Sequence, residues 1–64
     1  MASQSDTLKI ARADMMSVSA KIGDAQHEKM IGNPQMKVTV QQAVWTMEQT
    51  AQRLRKSFKL EEVT

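Results

Sequence analysis

Apolar residues recur along this chain in two runs with the same alternating step. In the first half, Leu8, Ala11, Met15, Val18, Ile22 and Ala25 follow one another at intervals of three and four; in the second, Val40, Val44, Met47, Ala51, Leu54 and Phe58 do the same. Alternating threes and fours place side chains along one side of an α-helix, so each run predicts an amphipathic helix with an apolar seam. Between the runs lies Ile31-Gly32-Asn33-Pro34, where glycine supplies a left-handed stop and proline cannot continue the preceding ladder. The expected fold is all-α, an antiparallel helical hairpin forming one domain over residues 1–64, with a helix over about 6–30, a turn over about 31–36 and a helix over about 37–60. Each helix would be about 35 Å long, and a connection of about six residues is typical of neighbouring antiparallel helices.

Local signals refine the ends. Ser5 or Asp6 is the expected N-cap of the first helix. Gly23 is its weak point, costing about 1 kcal/mol against alanine, but Ile22 and Ala25 keep the seam in phase across it, which favours one helix, bent at most. Asn33-Pro34 could open the second helix as N-cap and first residue. Thr39-Val40-Gln41-Gln42 matches a capping box and is the stronger start signal. Met36 to Val40 also alternates as a short strand would, but a lone strand has nothing to pair with. Lys56 and Lys59 fall in the last turns of the second helix, where cations complement its dipole, and Glu61 to Thr64 are expected to fray.

Length changes the picture more than composition does. A chain of 64 residues buries only about 60% of its unfolded surface, and such cores are marginal without disulfides, a metal or association. There is no cysteine and only one histidine, which leaves neither a disulfide nor a thiolate or zinc site. Association remains, so the hairpin is expected to complete a four-helix bundle by dimerisation or by docking on a partner. No apolar run is long enough to span a bilayer. The polar start, Met1-Ala2-Ser3-Gln4-Ser5, reads as an ordinary intracellular one. A cytoplasmic setting is therefore expected, although leaderless export would leave the same pattern.

Some apolar residues lie off the seams. Trp45 points about 140° from the centre of the second seam, and Met16 lies opposite the first with Ile10 on its flank. Ile10, Met16 and Trp45 are therefore expected to serve a second protein contact, since tryptophan is enriched at interface centres. The competing reading shifts the phase by one residue and places Trp45 in the hairpin core. The six methionines are mostly read as seam filling.

The net charge is +2, from nine basic and seven acidic residues, too small to imply nucleic acid by itself. Arg53, Arg55, Lys56 and Lys59 form the one basic cluster, which could contact phosphates with base stacking on Trp45; the plainer reading is a solvated helix end. His27-Glu28 begins a zinc-protease pattern, but position 31 is Ile. No nucleophile–base arrangement and no glycine-rich phosphate loop is present. No catalytic residue, cofactor, metal or small-molecule substrate is expected, and an enzyme is improbable.

In plan, two similar helices joined by a short turn, the chain resembles the small hairpins that dimerise into four-helix bundles, including the plasmid-encoded RNA-binding regulator Rop. It also resembles the short helical-hairpin subunits and co-chaperones of bacterial type III secretion systems. The resemblance covers architecture and no sequence motif; Arg53-Leu54-Arg55-Lys56-Ser57-Phe58 does not reproduce the C-terminal pattern of the needle subunits. The function expected is a helical protein–protein interaction module, an adaptor, chaperone or structural subunit working through its seams, with a Rop-like nucleic-acid regulator as the alternative.

Overall fold

The computed structural model describes residues 3–60. Two helices, α1 (Gln4–Met30) and α2 (Met36–Phe58), pack against each other, with no strand among the described residues. The N-cap of α1 is Ser3, ahead of both residues expected for it: its Oγ accepts from the Asp6 amide at 3.1 Å. Asp6 instead lies in the first turn, where its charge faces the positive end of the helix dipole. The helix runs through Gly23 without a break.

The turn is built as the Gly-Asn-Pro sequence suggests. Gly32 adopts φ +70°, the Asn33 amide donates to the Glu28 carbonyl at 2.8 Å and the Gly32 amide to the Lys29 carbonyl at 3.3 Å. This crossed pair satisfies two of the orphan carbonyls at the end of α1. Asn33 then turns the chain, its Oδ1 accepting from the Gln35 amide at 2.9 Å. Its carbonyl accepts from the Met36 amide at 3.2 Å, so α2 begins at Met36, with Gln35 as its N-cap just after the proline.

Thr39 is therefore inside α2, not at its start. Its hydroxyl donates back to the Gln35 carbonyl at 3.2 Å, a bond available only to a threonine already one turn into a helix. The segment Met36 to Val40 is helical. At the other end Lys59 sits in the left-handed region, φ 53°, while the Leu60 amide closes on the Arg55 carbonyl at 2.9 Å. The expected fraying of Glu61 to Thr64 lies outside the described residues.

The two glycines should respond oppositely to alanine. A Cβ on Gly23 meets nothing within 4 Å and its backbone is helical, so Gly23→Ala is expected to stabilise by about 0.5–1 kcal/mol. At Gly32 the space is equally open, but φ is +70°. Gly32→Ala should cost about 1 kcal/mol through the strain of an L residue there. Urea midpoints of the two variants would check the signs.

The hairpin measures 43 × 26 × 14 Å, a slab one helix thick. Each helix therefore has one neighbour, and among the described residues the buried hydrophobic ones are only Val18, Ala25 and Ala43.

Candidate interaction surface

The residues of α1 that are not fully exposed are Thr7, Ala11, Asp14, Val18, Lys21, Ala25 and Glu28, a single line with alternating steps of four and three. On α2 the matching line runs through Met36, Thr39, Ala43, Thr46, Thr50 and Ser57, with Ala43 and Thr50 only 1% and 3% exposed. The helices thus meet along small and polar side chains. Alanine, threonine and serine let two backbones approach closely, so the contact is tight but carries little apolar area.

Polar cross-links hold this line in register. The Thr50 hydroxyl donates to Asp14 Oδ2 at 3.0 Å, and Arg53 Nη1 donates to the same oxygen at 3.2 Å. Lys21 Nζ reaches Gln42 Oε1 at 2.9 Å, and the Ser57 hydroxyl donates to Thr7 Oγ1 at 3.4 Å. Near the turn Glu28 Oε1 is buried without a hydrogen-bond partner among the described residues, a cost set against the hairpin.

The seams marked by the apolar spacing are thereby divided. Ala11, Val18 and Ala25 belong to the line between the helices, but Leu8, Met15 and Ile22 remain exposed beside it. On α2 the contact line lies one residue before each seam position. Val40 and Met47 stay exposed, and Val44, Ala51, Leu54 and Phe58 are half-buried along its edge. The shift moves the contact no closer to Trp45, which is 60% exposed.

The displaced seam residues share one face. At 100° per residue Leu8, Met15 and Ile22 lie about 90° past the α1 contact line, and the α2 seam lies about 90° past its own. In an antiparallel pair, equal rotations in the chain direction lead to the same side of the hairpin. Lys21–Gln42 and Arg53–Asp14 occupy the other side. Because Thr7 is level with Ser57, Asp14 with Thr50 and Lys21 with Gln42, the face falls into three layers. Leu8 is level with Leu54 and Phe58, Met15 with Met47 and Ala51, Ile22 with Val40 and Val44. Arg12, Glu48 and Arg55 border these layers without entering them.

The other sequence-derived sites are gathered only in part. Ile10 borders a groove of about 740 Å³ on the polar side, with Asp14, Arg53 and Lys56 along its walls. Met16, 67% exposed, points away from α2 at the far edge of α1, whereas Trp45 projects from the outer side of α2. The three do not make one patch. Of the basic residues, Arg53, Lys56 and Lys59 line that same groove, where Arg53 is paired with Asp14, while Arg55 lies apart on the edge of the apolar face. Among the described residues no helix is long and apolar enough to cross a membrane, and no group of three metal-ligating side chains is assembled.

The chain matches no known protein family, no curated protein and no solved structure.

Sequence periodicity found the residues of the face but assigned them to the contact inside the hairpin. The signal for that contact is a second heptad line, Thr7-Ala11-Asp14-Val18-Lys21-Ala25, half of whose members are polar and so do not stand out as a seam.

Proposed function

We propose that this hairpin is a small non-enzymatic interaction module, an adaptor, chaperone or structural subunit, that completes a four-helix bundle through its layered apolar face. The observation that carries this reading is the uncovered face itself: the larger aliphatic side chains lie outside the helix–helix contact, on a slab one helix thick. Apolar surface of this extent is a burden on an isolated chain and a resource in an assembly. The occupant is a pair of helices, from a second copy or another protein, laid along the three layers as knobs in holes. A chain without cysteine suits a reducing, cytoplasmic setting.

Phosphate recognition gains from free charges tracking one groove; the groove lined by Arg53, Lys56 and Lys59 also holds Asp14, which already pairs with Arg53, and this weighs against it. The experiment is a pull-down from native extract, with and without nuclease, using the wild type, Met47→Asp, and Arg55→Ala with Lys56→Ala. Protein retained after nuclease and at about 0.5 M salt, and lost with Met47→Asp, is the expected result, since apolar docking withstands salt. Recovery of nucleic acid alone, lost in the basic-residue variant and collapsing with salt, would overturn the reading.

A further inference from the structure

We infer that the occupant of the apolar face is a second copy of this chain, stacked face to face with its turn at the opposite end, about a two-fold axis that passes through Met15 and between Met47 and Ala51. The inference rests on the interaction-module reading and adds the identity and orientation of the partner.

The centre of the stripe on α1 is Met15, midway between Leu8 and Ile22. The centre of the stripe on α2 falls between Met47 and Ala51. The cross-helix bonds that make Asp14 level with Thr50 and Lys21 level with Gln42 put these two centres at the same height. One axis perpendicular to the helices can therefore serve both. Half a turn about it lays Leu8 on the second copy's Ile22 and Met15 on the second copy's Met15. On α2 it lays Phe58 on the second copy's Val40 and Leu54 on the second copy's Val44.

Size then decides the orientation. The layer at the open end (Leu8, Leu54, Phe58) is the bulkiest, and the layer at the turn end (Ile22, Val40, Val44) is smaller. Opposed turns stack bulky on small at both ends and middle on middle. The core then has even thickness, as close packing requires. With turns at the same end, bulky would meet bulky and the bundle would have to taper. The three layers hold no ionisable group, so self-pairing buries no like charges.

The area suffices. A stable interface takes about 800 Å² from each partner, roughly 15% of the 5423 Å² that this chain exposes, and the face is one of the two broad sides of the slab.

Cysteine pairing tests the geometry without background, because the chain has no cysteine. Met15→Cys places two thiols against each other across the axis, within the Cα separation a disulfide needs. Mild oxidation is expected to convert most chains to a covalent dimer that keeps its helicity. Met16→Cys, on the outer edge, should give at least about ten-fold less, for want of a high effective concentration. Cross-linking that appears only when Met15→Cys is mixed with Ala51→Cys would show turns at the same end and overturn the orientation. Equilibrium sedimentation of the wild type separates the remaining failures. A monomer of low helicity at micromolar concentration overturns the second copy as occupant while leaving the module reading to a different partner. A fully helical, cooperatively melting monomer overturns both.

Discussion

Leu54→Asp is expected to leave the protein monomeric, and largely unfolded, at concentrations where the wild type is helical and associated. Leu54 belongs to the bulkiest layer of the apolar face and is half-buried already in the single hairpin. In an assembled bundle the aspartate would be buried on all sides with no cation in its layer. An uncompensated buried charge costs on the order of 3 kcal/mol or more, enough to weaken association by at least about a hundredfold for each copy affected. Because the buried hydrophobic residues among the described ones are only Val18, Ala25 and Ala43, dissociation should take most of the helicity with it. Sedimentation and circular dichroism read the two effects together. A variant that stays associated, or dissociates without losing helix, would place the stabilising contacts elsewhere.

The second large effect is expected at Ala43, and in the opposite sense from cavity formation. Ala43 is 1% exposed and sits in the contact line of α2, facing the stretch of α1 between Val18 and Ala25. Leucine there inserts three further carbons where the backbones are held close by small side chains. Overpacking of this kind costs about 1–3 kcal/mol, and in a domain of this size each kcal/mol moves Tm by about 4–8 °C. A fall of roughly 10 °C is the expected result in a thermal melt of Ala43→Leu. Ala13→Leu supplies the control, because Ala13 is exposed on the outer side of α1 and leucine is nearly as good a helix former as alanine. Equal melting temperatures for the two variants would mean that the helices are not in close contact at Ala43.

These two positions also separate what can be read in the chain from what cannot. The sequence alone determined that there are two helices and where they part. Seven-residue periodicity requires helices, Gly32 requires a left-handed backbone, and Pro34 forbids a continuous ladder; all three are local constraints that hold whatever the helices pack against. Helix ends were less legible. Thr39-Val40-Gln41-Gln42 has the composition of a capping box, yet Asn33 captures the Gln35 amide and starts α2 earlier, and the threonine hydroxyl bonds backward within the helix instead.

What only the tertiary structure decided was which side of each helix meets the other. Both helices carry two adjacent heptad lines, one small and partly polar, one larger and apolar, and periodicity gives them the same spacing. Thr7, Asp14 and Lys21 have exposed-looking side chains until Ser57, Thr50 and Gln42 are brought opposite them at hydrogen-bonding distance. Those pairings exist only between segments far apart in the chain, so no local signal announces them. Once they form, the small line is spent on the hairpin. Leu8, Met15, Ile22, Val40 and Met47 are then left on a face of their own, because a helix in a two-helix slab has one neighbour and cannot bury two lines at once.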